Sequence, residues 1–167
     1  MIRFCEGLKV LPVLAPAAST ASAGRGSEYI DLENAHWVSF HILFGAMTSD
    51  STDTITVTVQ CSTSTTSNAT EIAMAFNYRL SAAVATDTMG AITAATSSGV
   101  AITAAQDNML LCVEVDPSAI PSLTGYTDHK YLRFWLAPSA DIATAYSVGA
   151  VAYIEDRFHG NSIPSST

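Results

Sequence analysis

The residues best suited to metal binding or acid–base chemistry in this chain are its histidines and cysteines. The sequence contains His36, His41, His129, His159, Cys5, Cys61 and Cys112. None has a partner at the short spacing of zinc sites, and no His-Glu-x-x-His motif occurs. We therefore expect no metal site. We interpret the cysteines as small buried hydrophobes, and a Cys61–Cys112 disulfide is open only if their two strands face each other.

Paired carboxylates are the second candidate for chemistry, because glycosidases use two of them across a cleft. Glu114 and Asp116 fall on one face of a predicted strand, and Glu155 and Asp156 follow another strand. We interpret both pairs as solvated strand ends. The Gly-x-Ser-x-Gly nucleophile elbow and the glycine-rich phosphate and dinucleotide motifs do not occur. The sequence therefore predicts neither an enzyme nor a bound cofactor.

An aromatic and basic stripe is the third candidate. Tyr131, Arg133 and Trp135 share one face of a predicted strand whose other face is apolar. Exposed side chains of these types are good anchors for a protein partner or a sugar. In the alternative interpretation, a second sheet or an arm covers this face, and Trp135 is an ordinary packing residue.

The charge balance excludes some partners. The 167-residue chain carries 7 basic and 15 acidic residues, which gives a net charge of −8. Phosphate backbones and anionic membranes attract clustered bases, and the bases here are scattered. We therefore expect no nucleic-acid partner and no membrane partner. Charged residues make up 13% of the chain, against a usual share of about a quarter, which is typical of β-rich particle-forming proteins.

Alternating apolar residues dominate the sequence from residue 28 onward. In Asp53–Cys61, isoleucine and valine alternate with threonine, which is the period of a strand with one buried face. Similar segments recur between turn signals: Tyr29–Leu32, Trp37–Met47, Glu71–Leu80, Met109–Val115, Tyr131–Ala137 and Tyr146–Ile154. Seven to nine such strands predict an all-β antiparallel sandwich, jelly-roll-like, with a small β-barrel as the alternative.

Two hairpins are expected within this pattern. Trp37–Met47 and Asp53–Cys61 are separated only by a polar loop, so we expect them to pair. The Ala-Ile-Thr-Ala-Ala segment at residues 91–95 recurs at residues 101–105, and we interpret the two copies as a weak hairpin of small residues.

The two ends of the chain differ from the middle. We predict an extended N-terminal arm at residues 1–27, a β-sandwich domain at 28–158 and a C-terminal tail at 159–167, because the first segment is rich in proline, alanine and serine. We expect the arm to reach neighbouring subunits through its apolar residues Leu8, Val10, Leu11, Val13 and Leu14. The alternative is that the arm folds back onto its own domain.

Several segments together resemble small structural proteins of tailed bacteriophages, the capsid decoration (cement) and auxiliary head proteins. They are Leu11-Pro-Val-Leu-Ala-Pro16, Tyr29-Ile-Asp-Leu32, Val38-Ser-Phe-His-Ile-Leu-Phe-Gly45, the Thr/Val strand and Phe76-Asn-Tyr-Arg79. The resemblance implies a β-sandwich or barrel core, assembly into trimers or higher rings, and no catalytic residues.

From this resemblance we expect a virion protein, made in the host cytoplasm, that binds the outer capsid surface and stabilises the head. Its expected partners are the major capsid protein and further copies of itself. One alternative is a tail, neck or fibre-base component of the virion. Another is a carbohydrate-binding module that uses the face carrying Trp135.

Overall fold

The computed structural model describes residues 8–19, 24–47, 54–66, 71–84, 86–122, 128–139 and 146–156. Within these residues the chain forms strands that are arranged in two antiparallel sheets. The first sheet has the order β1–β12–β4–β10–β7–β8. Its strands in chain order are β1 (Lys9–Ser19), β4 (Ala35–Met47), β7 (Phe76–Leu80), β8 (Thr93–Ala95), β10 (Leu110–Val115) and β12 (Tyr146–Asp156).

The second sheet is built around two adjacent strands, β11 and β5. Its strands in chain order are β2 (Arg25–Gly26), β3 (Ile30–Asp31), β5 (Thr54–Ser62), β6 (Ile72–Met74), β9 (Val100–Thr103) and β11 (Tyr131–Pro138). Strands β2 and β3 pair with β11, while β6 and β9 pair with β5. Two short 3-10 helices, Ala104–Gln106 and Pro117–Ser122, follow β9 and β10.

The strand pairs are nested: the first strand of the chain pairs with the last, and the other pairs lie between them in sequence. β1 pairs with β12, β2 and β3 with β11, β4 with β10, and β5 with β6 and β9. This nesting is the double Greek key of a jelly roll. The predicted antiparallel β-sandwich is therefore confirmed. The alternative of a small β-barrel is wrong, because the sheets do not close on each other.

The inner faces of the two sheets form one apolar interior. In β5 the alternating residues Ile55, Val57 and Val59 are fully buried, as their period of two predicts. Phe40 of β4 meets Phe134 of β11 edge to face, with ring centroids 5.3 Å apart. This contact joins the middle of the first sheet to the middle of the second.

Both predicted hairpins are wrong. β4 and β5 follow each other in sequence but belong to different sheets, so they do not pair as a hairpin. The two alanine-rich copies likewise separate, since β8 pairs with β7 in the first sheet and β9 pairs with β5 in the second. The predicted strand Glu71–Leu80 is also divided between the sheets, as β6 and β7.

Part of the predicted arm is an edge strand of the sandwich. β1 pairs along its length with β12, and its residues Val13 and Leu14 are buried in the core. Pro12 and Pro16 are compatible with this strand because an edge strand leaves one row of its backbone groups unpaired. Residues 1–7, 20–23 and the predicted tail at 159–167 lie outside the described residues.

The outer edge of β1 is capped by the segment that follows it. The Glu28 amide donates to the Val13 carbonyl at 2.8 Å. The Arg25 guanidinium donates to the carbonyls of Ala15 and Ala17, at 2.8 and 3.3 Å. These bonds occupy three successive outward carbonyls, so this part of β1 does not offer a free edge to another strand.

Gly99 allows the chain to cross between the sheets after β8. Its φ is +84°, and a Cβ there would collide with the carbonyl oxygen of Val57. We predict that Gly99→Ala lowers the free energy of unfolding by about 1 to 3 kcal/mol through backbone strain and steric overlap. Urea denaturation of this variant and of the control Ser98→Ala, in the same turn, measures the effect. An equal midpoint for both variants would contradict the assignment.

Candidate functional site

The outer face of the second sheet carries a stacked arginine. The guanidinium carbon of Arg133 lies 4.8 Å from the ring centroid of Tyr29 and 4.8 Å from that of Trp135. Its Nε donates to the side-chain Oε1 of Gln60 at 3.0 Å, and its guanidinium forms an ion pair with Glu71. We call Tyr29, Gln60, Glu71, Arg133 and Trp135 the Arg133 cluster.

The Arg133 cluster is shielded from solvent. The side chains of Arg133 and Glu71 are 8% and 7% exposed, so the pair is held in a medium where an unpaired charge is costly. The Tyr29 hydroxyl donates to the Glu71 carboxylate. Burial, reinforced by this hydrogen bond, raises the pKa of Tyr29 to about 12. Tyr29 is therefore a neutral hydrogen-bond donor at physiological pH.

Two glycines bring backbone directly onto Trp135. A Cβ at Gly24 would lie 2.5 Å from Cζ2 of the indole, and one at Gly26 would lie 2.9 Å from Cε3. The indole is thus flanked by Arg133 and by this glycine segment, and only part of it remains accessible. A sugar or protein partner that stacks on Trp135 would first have to displace residues 24–26.

The structure brings together only part of the predicted stripe. Arg133 and Trp135 stack as neighbours on the outer face, while the ring on the other side of Arg133 is that of Tyr29 and not of Tyr131. Tyr29 and Glu71 were missed by the sequence reasoning. Both come from segments far from β11 in sequence, so no local spacing could have identified them.

The outer face of the first sheet has a different character. It exposes large apolar side chains on β1 and β4, which flank β12: Val10 is 38% exposed, Trp37 36% and Leu43 56%. The corresponding face of β5 in the second sheet presents Thr54, Thr56 and Thr58. The first outer face therefore exposes large apolar side chains, whereas the second presents the hydroxyl groups of β5 beside the Arg133 cluster.

A cleft of about 740 Å³ opens on this apolar face. We call it the Leu43 cleft, and it is defined by Pro16, Leu43, Gly45, Leu110, Ser147 and Gly149, with other neighbours around them. One row across the sheet contributes three of these residues. Leu110 opposes Leu43, and Leu43 opposes Gly149, over which Pro16 packs.

His41 lies between the Leu43 cleft and a smaller cavity of about 210 Å³ that also includes Leu8 and Trp37. Its imidazole meets the Tyr153 ring edge to face, with centroids 4.5 Å apart. Burial lowers the pKa of His41, and the nearby Glu114 carboxylate opposes that shift. His41 is therefore uncharged at neutral pH, as expected for a ring on an apolar face.

Neither described cysteine is placed for nucleophilic chemistry. The Cys61 thiol lies in the core 3.0 Å from the Met74 sulfur, while Cys112 lies on β10 of the other sheet opposite His41. Both are free, so they form no disulfide. Burial raises the pKa of Cys61 to about 12 and also raises that of Cys112, where Glu114 adds to the shift. Both thiols are protonated at neutral pH. Cys5 lies outside the described residues.

The predicted acidic pairs do not form one site. Glu114 lies on β10 near His41, whereas the Asp116 carboxylate accepts from the Ser118 amide at 2.9 Å and caps the following 3-10 helix. Among the residues that the structure describes, no three or more His, Cys, Asp or Glu side chains gather as a metal site would require. The same residues include no helix that is long and apolar enough to cross a membrane.

The five predicted arm anchors have different environments. Val13 and Leu14 are 1% and 7% exposed and pack inside their own subunit, so neither is available to a partner. Leu11 packs against the core, and Leu8 is half-buried. Of the five, Val10 is the exposed one, at 38%.

The sequence matches no protein-family model and no curated protein.

The Arg133 cluster makes a sharp stability prediction. Arg133→Met should lower the free energy of unfolding by roughly 3 to 5 kcal/mol, because it leaves the Glu71 carboxylate buried without its cation. Adding Glu71→Leu should recover part of that loss, giving a coupling energy of about 1 to 3 kcal/mol in a double-mutant cycle. Urea unfolding is the measurement, and Lys130→Met, at an exposed cation, is the control. Strictly additive effects would show that the pair is not coupled.

Proposed function

We propose that this chain is a virion structural protein that binds the outer capsid surface of a tailed bacteriophage and stabilises the head. Its proposed partner is the major capsid protein. The double Greek key sandwich supports this proposal as a fold that viral capsid proteins and lectins use. The net charge of −8 supports an outer position, because an acidic protein is repelled by packaged DNA.

The observation that carries the proposal is the contrast between the two outer faces. Soluble monomeric domains rarely expose large apolar patches, and such a patch usually marks an interaction site. Val10, Trp37 and Leu43 supply such a surface on the first sheet. The threonine-bearing second sheet then faces solvent, where its hydroxyl groups remain hydrated.

The proposed docking surface is therefore the outer face of the first sheet and not the N-terminal arm. Docking would cover apolar side chains at about 25 cal/mol per Å², which amounts to a few kcal/mol per subunit for this set. Each bound subunit would bridge neighbouring capsid subunits, which have to separate for the head to expand or rupture. The binding free energies of many bound subunits therefore add up over the lattice.

Co-sedimentation tests this proposal. Capsids of the encoding phage, prepared without this protein, are mixed with the purified chain and pelleted. We expect saturable binding by the wild type and at least tenfold weaker binding by Leu43→Asp, because docking would bury the new carboxylate against apolar surface. Val84→Asp is the matched control, since Val84 is 52% exposed in the turn after β7 and Leu43 is 56% exposed on the outer face of the first sheet.

The possible outcomes separate the two parts of the proposal. Failure of the wild-type chain to bind would refute capsid decoration itself. Equal binding by Leu43→Asp and Val84→Asp would refute the docking face. Electron microscopy of labelled subunits then distinguishes copies spread over the head from a ring at the tail, neck or fibre base.

A further inference from the structure

The Leu43 cleft has the dimensions of a small-molecule site. Its volume of about 740 Å³ falls within the usual range of ligand clefts, roughly 300 to 1,000 Å³. Along β4 it extends from His41 to Gly45, four residues apart, which corresponds to roughly 13 Å of extended strand. The Leu43 cleft is therefore elongated along β4.

The shape of the Leu43 cleft comes from the backbone. Gly45 and Gly149 have no side chains, and neighbouring residues pack directly over them: a Cβ at Gly45 would lie 3.0 Å from Cβ of Ser147, and one at Gly149 would lie 2.9 Å from Cγ of Pro16. The register of β1 against β12 shifts between Pro12 and Leu14 and again between Leu14 and Ala17. Such irregularities reorient the side chains of an edge strand, and here they occur in the part of β1 that lines the cleft.

The described residues that line the cleft carry no formal charge. None of them is Asp, Glu, Lys or Arg, although the chain has 7 basic and 15 acidic residues. A charged ligand would lose hydration against these residues without gaining a counter-charge from them. The described lining therefore favours a neutral occupant.

Polar groups are confined to the two ends. His41 and Tyr153 lie at one end. Asn108 lies at the other end. Its φ is +55°, and its backbone N–H donates to the Gly45 carbonyl at 3.4 Å. Asn is among the few residues that adopt this left-handed conformation readily, and here it places an amide side chain beside the apolar floor.

We propose that the Leu43 cleft binds an uncharged, elongated small molecule with an aromatic or branched aliphatic body and a hydrogen-bonding group at one end. The body lies against the apolar side chains between Pro16 and Leu43. The polar group meets either Asn108 or His41. The cleft lies on the proposed docking face, but its binding is measured on the isolated chain and does not rest on the proposed function.

Fluorescence titration with N-phenyl-1-naphthylamine, a neutral apolar dye of about this shape, tests the proposal. The purified wild-type chain should bind it saturably with a micromolar dissociation constant. Ser147→Phe, which fills the floor beside Gly45, and Leu43→Asp, which charges the wall, should each weaken binding at least tenfold. Ile92→Asp should bind like the wild type. No capsid is present, so this result does not depend on decoration.

Three results would overturn the proposal: no saturable binding by the wild type, unchanged binding by Ser147→Phe, or the same loss in Ile92→Asp. Far-UV circular dichroism checks that each variant is folded. Intermolecular NOEs between the dye and the methyl groups of Leu43, Leu110 and Val151 in the wild type give a readout that needs no variant. NOEs confined to methyl groups elsewhere, such as those of Val84 and Ile92, would place the dye outside the cleft and contradict the site.

Discussion

The packing of two sheets through one shared apolar interior is the constraint on which the rest of the structure depends. Phe40 and Phe134 meet edge to face at its centre, and the alternating residues of β5 close it from the second sheet. Each strand must direct one face inward to take part. The nested order of strands distributes these inward faces over two sheets and leaves the two outer faces free to differ in chemistry.

The two outer faces differ in the residues that they carry. On the second sheet, a buried arginine, its carboxylate partner and two aromatic rings hold the glycine segment against β11. On the first sheet, the mainly apolar Leu43 cleft lies beside the exposed Leu43 side chain. The edge between the sheets is covered as well, because Arg25 and Glu28 satisfy carbonyls of β1. Recognition by the face of the first sheet is therefore more consistent with this structure than strand addition at that edge.

The sequence predicted which residues face inward better than which strands pair. Alternation identified Ile55, Val57 and Val59 as core because period two depends only on local geometry. It could not reveal that β4 and β5 belong to different sheets, since a polar segment of the same length also suits a hairpin. The proline-rich start was assigned to an arm because proline disfavours central strands, but an edge strand tolerates it.

The candidate sites were predictable to a smaller extent. The shared face of Arg133 and Trp135 follows from their spacing, whereas Tyr29 and Glu71 join them only through the tertiary fold. The Leu43 cleft depends on register between β4 and β12, which places a glycine opposite a leucine. No periodicity within one segment contains that information, so the apolar face became visible only in the folded chain.

Hydroxyl-radical footprinting of the chain, free and bound to capsids, tests the central claim that the apolar face of the first sheet is the docking side. Each outer face carries a tryptophan that reacts readily, Trp37 on the first sheet and Trp135 on the second. We expect binding to protect Trp37 and Leu43 and to leave Tyr131 and Trp135 unchanged. Protection confined to Tyr131 and Trp135, with Trp37 and Leu43 still oxidised at the free rate, would contradict it.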